Sequence, residues 1–366
     1  MQHGRIIQIH KWHLVVFIIF LVLLQLSLNT KFDIHETYRI LTSSEIEIPA
    51  YINNNLIDKS EYFQLRNDNE VRLSTITPFY WHVAKAGGTA IKYHYARCYT
   101  IITASEMGNN GHEHDEYLGI VHANGSTNHM NVDTSLLDGI LRAKELYLVQ
   151  SHIPQLIYSP LFDESTQHLF DQDNQGIMFA MFRHPVGRVI SLFYYLQEAT
   201  WEPTYNPALV DMSLLEYANS ELVEANFIVR ALVNKFTGPL SPDDLNVAKD
   251  ILRRKCIIGI IEDFSDSINA FDSYLNLYPN MNVYIEKALE HESRTDFVKS
   301  CEEKLHKGSG SNSHSHPKVD PESEEYDILK RKNAWDMQLW PYIQELYHEQ
   351  QIRYKDLVDG IKNNES

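Results

Sequence analysis

Cysteine is scarce in this sequence, with 3 in 366 residues. A scaffold built on disulfide bonds needs more, so the fold has to depend on a hydrophobic core. Hydrophobic residues make up 43% of the chain and charged residues 22%, and the length allows one large domain or two small ones. In an oxidising compartment one pair among Cys98, Cys256 and Cys301 could form a disulfide, and the sequence does not select the pair.

Positive charge is also in short supply. The chain has 32 lysines and arginines against 49 aspartates and glutamates, a formal net charge of −17. Proteins that bind nucleic acid do so mainly through basic surfaces that neutralise phosphates. The composition therefore argues against nucleic-acid binding and predicts no general attraction to polyanions.

Long hydrophobic runs are absent, with one exception near the N-terminus. No charged residue lies between Lys11 and Lys31, and a run of this length is at the short end of what spans a bilayer. We predict a transmembrane signal anchor at 12–28 after a cytosolic tail at 1–11. Because Arg5 and Lys11 precede the run, the positive-inside rule places the rest of the chain in the lumen, as a single-pass type II protein. A cleaved signal peptide is the alternative.

The region between the anchor and residue 76 is polar and rich in asparagine. Because its hydrophobic residues show little periodicity, we predict a stem with little fixed structure at 29–75. The catalytic domain is then expected at 76–366. Asn124-Gly125-Ser126 is a glycosylation sequon, which is weak support for a lumenal glycoprotein.

Beyond residue 76, apolar runs alternate with stretches of helical periodicity. This pattern predicts an α/β fold with a mostly parallel sheet flanked by helices. Ligands of such sheets bind at the carboxyl ends of the strands. The predicted strands are 79–83, 145–150, 176–182 and 256–261, and the predicted helices are 89–97, 186–197, 213–235, 242–254, 265–277 and 322–355. Lys85, His152 and Arg183 each follow a predicted strand, so we expect them on one edge of the sheet.

The first motif follows the strand at 79–83 and leads into a helix. It reads Lys85-Ala86-Gly87-Gly88-Thr89-Ala90. The glycines let the backbone approach an oxyanion, and the first N–H groups of the helix point at it. Lys85 adds a movable positive charge. In the nucleotide triphosphatase loop, G-x-x-x-x-G-K-[ST], the lysine follows the glycines, whereas here it precedes them.

The second motif begins at Arg183, directly after the apolar run 176–182. An arginine offers a planar fork to a phosphate group. Pro185 suits the first turn of a helix. Ser191, two helical turns from Arg183, could donate a hydroxyl hydrogen bond to the same group.

Taken together, the two motifs resemble the 5′-phosphosulfate loop and the 3′-phosphate motif of sulfotransferases, which use 3′-phosphoadenosine 5′-phosphosulfate. Later segments resemble family motifs in the same order: 226–232, 245–249, 259–264 and 333–340. The chain beyond Ile76 most resembles the Golgi carbohydrate O-sulfotransferases, particularly the heparan sulfate 2-O and 6-O enzymes. The resemblance implies a P-loop-like sulfotransferase fold and a Golgi membrane location with a lumenal catalytic domain.

The resemblance also implies a reaction. A sulfuryl group moves from the 3′-phosphoadenosine 5′-phosphosulfate co-substrate to a hydroxyl of a glycan acceptor by in-line displacement, without a metal. Lys85 and the N–H groups from Ala86 to Ala90 hold the 5′-phosphate and sulfate, and Arg183 with Ser191 holds the 3′-phosphate.

The attacking hydroxyl has to lose its proton, and a neutral histidine is a suitable base. We expect His152 in that role, because the heparan sulfate enzymes have a proposed base histidine in a comparable position. This sequence has Ser-His where the 2-O enzyme has His-Gly-His. Glu262 and His184 are the alternatives, and His82 is expected to be a core histidine inside the first strand.

Other functions stay open. A protein-tyrosine sulfotransferase has the same donor and a peptide acceptor. The missing G-x-x-x-x-G-K-[ST] motif argues against a nucleotide-dependent kinase of the P-loop class. The presence of Lys85, Arg183 and Ser191 argues against a lumenal binding protein without catalytic activity. The sequence does not specify the glycan, the hydroxyl or the oligomeric state.

Two insertions have unusual compositions. The histidine-rich segment 108–131 matches no standard zinc spacing, so we expect a solvated loop there. The Gly/Ser-rich segment 308–318 is either a surface loop or a loop that closes over the nucleotide.

Overall fold

The computed structural model describes residues 48–68, 71–123, 127–202, 204–277, 299–301, 303 and 316–364. The predicted cytosolic tail and signal anchor lie outside these residues, as does the sequon at Asn124. In the described ranges, no helix is both long and apolar enough to cross a membrane.

The described residues form a mostly parallel sheet of seven strands, which confirms the predicted α/β class. The strands are β1 (Thr77–Trp81), β2 (Thr103–Ala104), β3 (Ile120–Ala123), β4 (Thr127–Met130), β5 (Leu156–Ser159), β6 (Gly176–Phe182) and β7 (Cys256–Ile260). Their order in the sheet is β3-β4-β2-β5-β1-β6-β7. Only the hairpin of β3 and β4 pairs antiparallel among them.

The centre of the sheet is buried on both faces. Every residue of β6 is buried, as expected for a parallel strand that helices cover on two sides. In β1, Phe79 and Trp81 pack into the core on one face, while Tyr80 packs into a second core on the other. Because β1 pairs in parallel with β5 and β6, the residues that follow these strands emerge at the same edge of the sheet.

Twelve described helices surround the sheet. They are α1 (Ala50–Asn55), α2 (Lys59–Asp68), α3 (Gly88–Tyr93), α4 (Leu137–Glu145), α5 (Phe162–His168), α6 (Pro185–Glu198), α7 (Leu214–Asn219), α8 (Phe227–Leu232), α9 (Pro242–Lys255), α10 (Phe264–Leu275), α11 (Glu324–Lys332) and α12 (Ala334–Asn364). α3 continues directly into a π-helical turn, His94–Cys98. The predicted helices at 186–197, 242–254 and 265–277 are confirmed closely. Those at 213–235 and 322–355 are each two helices.

The predicted strand at 145–150 is wrong. α4 ends at Glu145, the chain then makes turns as far as His152, and the strand is β5, further on. Leu148 and Val149 are buried, but Tyr147 is exposed and has a φ of 57°, which no strand residue adopts. A short apolar run does not distinguish a buried strand from a buried turn after a helix.

The prediction of a weakly structured stem at 29–75 is also wrong for the part that is described. Ile52 and Leu56 of the first helical segment belong to the core on one face of the sheet, and Tyr62 and Phe63 of α2 belong to the core on the other. Leu56 also forms a β-bridge with Gly176 at the start of β6. The packed domain therefore includes residues from Ile48 onward, because these few apolar side chains are spaced to bury one helix face despite their asparagine neighbours.

Cys98 and Cys301 form the disulfide that the sequence left unassigned, with Cα atoms 5.6 Å apart. It joins the π-helical turn after α3 to a residue 203 positions later in the chain. Cys256 is free and buried in β7, as a core cysteine.

The segments around Asn226 and Asn333 hold α8 against the junction of α11 and α12. The Asn226 N–H donates to Asn333 Oδ1 over 2.9 Å, and Asn226 Oδ1 accepts from the Trp335 N–H over 2.8 Å. Asp336 accepts from the first N–H groups of α8, those of Ile228 and Val229, over 3.0 Å each. Burial raises the pKa of Asp336 to about 6, while these two hydrogen bonds favour its charged form and oppose the increase. Two segments that resemble family motifs thus contact each other directly.

Candidate functional site

Two of the predicted site residues and one of the alternative bases follow adjacent strands at the carboxyl edge of the sheet. Lys85 comes after β1, Arg183 directly after β6, and Glu262 after β7. Since these strands are parallel neighbours, their carboxyl ends meet. Arg183 Nη1 donates to the backbone carbonyl oxygen of Lys85 over 3.3 Å, so the two motifs are in direct contact.

The loop between β1 and α3 has a backbone suited to binding an anion. Lys85 and Gly87 adopt left-handed conformations, with φ of 66° and 87°. Gly87 precedes α3, and a side chain there would begin 3.3 Å from Ile261 Cδ1 in an unfavourable conformation. The N–H groups of Gly87, Gly88 and Thr89 have no backbone or side-chain acceptor among the residues described. Such N–H groups beside a lysine are what a phosphate or sulfate oxygen requires.

Gly88 is a glycine because His82 occupies the space beside it. A Cβ at this position would lie 2.0 Å from His82 Cδ2 and 2.5 Å from His82 Nε2. The His82 ring is fixed from another side by Tyr158, whose ring centroid is 4.8 Å away. His82 follows the last residue of β1, Trp81, so the expectation that it lies inside the strand is wrong.

The electrostatic surroundings of His82 keep its imidazole neutral. Burial lowers its pKa to about 3, and the positive charges of Lys92 and Lys85 lower it further. No hydrogen bond to the ring is found among the described residues, which leaves its nitrogens available. A neutral imidazole beside this loop has a nitrogen lone pair that can accept a proton.

The ammonium group of Lys85 lies 3.9 Å from the centre of the Tyr195 ring, in a cation–π contact. Burial and the neighbouring Arg183 lower the pKa of Lys85 to about 8, while the negative charge of Glu202 opposes the shift. The lysine is therefore still mostly protonated at neutral pH. The hydroxyl group of Tyr195, on α6, donates a hydrogen bond to Glu202.

The side chain of Arg183, which precedes α6, lies beside the face of that helix that carries Ser191. A side chain at Gly187 would begin 3.5 Å from Arg183 Nε, so the guanidinium group runs along the first turn of the helix. Ser191 is four residues after Gly187 and hence one turn further on that face. Pro185 occupies the first turn, as predicted, and Ser191 is buried. The structure thus brings Lys85, Arg183 and Ser191 to one side of the sheet edge.

The structure does not bring His152 to this place, so the expectation of a shared edge is wrong for His152. It precedes β5, which begins at Leu156 and runs parallel to β1. It therefore lies toward the amino end of the sheet, opposite to Lys85 and Arg183. Its side chain is exposed. The error follows from the strand that was wrongly predicted at 145–150.

The two alternatives to His152 do lie at the carboxyl edge. The ring of His184 packs near Trp340, with centroids 5.9 Å apart, and burial lowers its pKa, helped by the charges of Lys330 and Arg183. Glu262 is exposed, and its charge opposes the lowering of the pKa of Arg183. His184 is thus surrounded by the C-terminal helices, whereas Glu262 is close enough to Arg183 to influence its charge.

The histidine-rich insertion is only partly the solvated loop that we expected. β3 and β4 form a hairpin within it, and His129 is fully buried, with ring nitrogens 2.8 Å from Thr103 Oγ1 and 2.9 Å from Thr127 Oγ1. His112 is exposed and pairs with Asp115 over 2.8 Å. The part of the chain that is described holds no group of three or more His, Cys, Asp or Glu side chains that could bind a metal ion.

Of the Gly/Ser-rich segment 308–318, the structure describes 316–318. The ring of His316 stacks on Tyr194 of α6, with centroids 5.4 Å apart and planes 4° from parallel. This end of the segment is therefore held against the helix that carries Ser191.

Sequence reasoning missed the aromatic and acidic residues around Lys85, namely Tyr195, Trp201 and Glu202. They lie on α6 and in the loop after it, and no motif marks them. His82 had a usable signal, since it is three residues before Lys85 at the end of an apolar run.

No protein-family model matches the chain, and no curated protein matches its sequence. The assignment of a function therefore depends on the residues and geometry described above.

We predict that the contact between Gly88 and His82 can be measured as an energetic coupling. Gly88→Ala should lower the free energy of unfolding by about 1–3 kcal/mol, because the added methyl group collides with the imidazole. In a His82→Ala background the same substitution should cost less, with a coupling on the order of 0.5–3 kcal/mol. Urea unfolding of the two single variants and the double variant gives this value.

Gly119→Ala is the matched control, because a Cβ there would lie 3.7 Å from its nearest neighbour, Asn131 Nδ2. Additive effects of Gly88→Ala and His82→Ala would contradict the contact.

Proposed function

We propose that this protein is a carbohydrate O-sulfotransferase that transfers a sulfuryl group from 3′-phosphoadenosine 5′-phosphosulfate to a hydroxyl group of a glycan. The observation that carries the proposal is the contact between the two motifs. Arg183 donates to the carbonyl oxygen of Lys85, beside a loop in which the N–H groups of Gly87, Gly88 and Thr89 lack protein acceptors among the described residues. One nucleotide with phosphates at both its 3′ and 5′ positions would use both motifs at once.

Each end of the donor has suitable partners. The N–H groups of Gly87, Gly88 and Thr89 and the ammonium group of Lys85 receive the 5′-phosphate and the sulfate. The N–H groups of Ala86 and Ala90, which the sequence also suggested, already donate to the carbonyl oxygens of Val83 and Gly87. Arg183 has Nη2 and Nε for the 3′-phosphate, and Ser191 lies further along the same helix face. An adenosine that lacks the 3′-phosphate would leave this second group of residues unused.

The transfer breaks the bond between the sulfur and the bridging oxygen of the donor, and the electron pair remains on the 5′-phosphate. A new bond forms between the sulfur and the acceptor oxygen, whose proton passes to a base. Lys85 is mostly protonated at neutral pH and can stabilise the charge that develops on the phosphate. Binding the negative donor favours the charged lysine further.

We assign the base to His82 in place of His152. His82 lies against Gly88, the first residue of α3, whereas His152 lies toward the opposite edge of the sheet. Its ring is neutral, and the negative charges of the donor would offset those of Lys85 and Lys92, so its basicity rises when the donor binds.

The disulfide fits the proposed location. Disulfides persist in the oxidising secretory compartments and are rare in the cytosol. Cys98 and Cys301 form one, which agrees with a catalytic domain in the Golgi lumen, attached to the membrane by the predicted anchor at 12–28. This makes the protein a single-pass type II membrane glycoprotein in our proposal.

A protein-tyrosine sulfotransferase would use the same donor site, so the acceptor alone separates it from our proposal. A kinase of the P-loop class would need Mg²⁺ and a lysine after the glycines. Here the lysine precedes them and contacts Tyr195. The residues that contact the acceptor therefore have to distinguish a glycan from a peptide.

We predict that the protein binds adenosine 3′,5′-bisphosphate far more tightly than 5′-AMP. Arg183→Ala should weaken bisphosphate binding by roughly 2–5 kcal/mol and leave 5′-AMP almost unaffected, because only the charge-assisted contact with the 3′-phosphate is lost. Isothermal titration calorimetry measures both affinities.

Arg254→Ala is a suitable control for the loss of an arginine, since Arg254 pairs with Asp250 within α9. Equal affinity of the unsubstituted protein for the two nucleotides would refute the assignment of the 3′-phosphate site.

We predict that His82→Asn lowers turnover by about 10²–10⁴-fold, the usual contribution of a positioned base. Bisphosphate affinity should change little. Because the pKa of His82 is about 3, the fall in rate that the substitution removes should lie at the strongly acidic end of the pH–rate profile. His152→Ala is the matched control and should keep near-normal turnover. The measurement is sulfation of a glycan acceptor against pH, at saturating donor. Normal turnover in His82→Asn together with its loss in His152→Ala would return the base to His152.

A further inference from the structure

Trp201 is an exposed aromatic residue beside the reacting groups. It lies in the loop that follows α6, and 66% of its surface is exposed. Its ring centroid is 6.4 Å from that of Tyr195, at 77° to it. Since the Tyr195 ring lies 3.9 Å from Lys85 Nζ, the indole is one aromatic ring away from the lysine that we place at the sulfate. Trp201 thus presents a large apolar face to solvent, next to the place where we expect the substrate.

Contacts with α6 hold the chain around the indole in place. The Trp201 ring meets the Tyr195 ring edge to face, and the next residue, Glu202, accepts a hydrogen bond from the Tyr195 hydroxyl. The pKa of Tyr195, raised to about 12 by burial and Glu202, keeps the hydroxyl protonated across the physiological range. Trp201 is therefore anchored to α6 on one side while most of the indole is exposed, which is a preorganised surface.

A flat apolar surface next to a carboxylate has a specific chemical preference. The C–H face of a pyranose ring packs on an indole, while its hydroxyl groups donate hydrogen bonds to a carboxylate such as Glu202. The same carboxylate repels uronate and sulfate groups. The basic groups nearby, Lys85 and Arg183, are the ones that we assign to the nucleotide, and the chain has a net charge of −17.

We infer that Trp201 and Glu202 form the acceptor subsite and that it takes an uncharged pyranose ring. This inference rests on the proposed function and goes beyond it, because it names the acceptor class. A neutral sugar stacks on Trp201 with one hydroxyl group turned toward the sulfate at Lys85. Polyanionic chains of the heparan type, the acceptors of the enzymes that the sequence resembles, are excluded from the subsite by the Glu202 charge.

The first test compares two acceptors at saturating donor: a neutral N-acetyllactosamine oligosaccharide and heparosan, a uronate polymer. We expect the neutral acceptor to be used at least 10-fold better. Trp201→Ala should raise its KM by about 10-fold or more, because the stacking surface is lost, and Trp201→Phe should restore part of the affinity. Tyr147→Ala is the control, because Tyr147 is 69% exposed and lies in the turn after α4, away from the site.

The second test measures binding without turnover. The protein is first filled with adenosine 3′,5′-bisphosphate and then titrated with the neutral oligosaccharide while tryptophan fluorescence is followed. The expected signal is a change in emission that disappears in Trp201→Phe and persists in Tyr147→Ala.

Two results would overturn the subsite while leaving the proposed function intact: preference for heparosan, or normal binding of the neutral oligosaccharide by Trp201→Ala, each with normal bisphosphate affinity. Failure of the nucleotide-filled protein to bind the neutral oligosaccharide at all would also overturn the subsite. Failure to bind the bisphosphate itself would overturn the proposed function and the subsite together.

Discussion

The parallel pairing of β1 with β6 is the constraint on which the rest of the site depends. The register aligns Thr77 with Gly176 and Tyr80 with Phe179, so the two strands end close together. Residues far apart in sequence thereby become neighbours, and Arg183 reaches the carbonyl oxygen of Lys85. Large aromatic side chains on both faces fix this register, because a shift by one residue would exchange the cores that Phe79 and Tyr80 occupy.

Close packing behind the loop supports the same arrangement. His82 fills the space where Gly88 would carry a side chain, and Tyr158 stacks against His82. Burial, helped by the positive charges of two nearby lysines, lowers the pKa of this imidazole and holds it neutral. The side chain that we assign as the base is thus also one that shapes the loop, which links the stability of the fold to the chemistry of the site.

The sequence predicted the parts of the fold that have strong local signals. The run 176–182 is apolar throughout and is β6, and Pro185 marks the first turn of α6. The sequence-based prediction failed where an element is stabilised by contacts with residues that are distant in the chain. The helices at 50–68 are stabilised by packing on the sheet, and the burial of Leu148 after α4 made a turn resemble a strand.

The site divides in the same way. Lys85, Arg183 and Ser191 carry motif signals and are brought together, whereas Trp201 and Glu202 carry none and lie beside Lys85 through their contacts with Tyr195. His152 was assigned through a wrongly predicted strand. A residue that contacts a motif in the folded protein cannot be recognised from the sequence unless it also lies close to that motif in the chain.

The most direct test of the central claim is transfer of labelled sulfate. The purified protein is incubated with ³⁵S-labelled 3′-phosphoadenosine 5′-phosphosulfate and a panel of glycans and tyrosine peptides, with and without EDTA, beside Lys85→Ala. The account predicts label in a glycan, unchanged by EDTA and lost in Lys85→Ala, in which the charge that stabilises the leaving phosphate is missing. No label in any glycan, or label that accumulates only in the peptides, would contradict it.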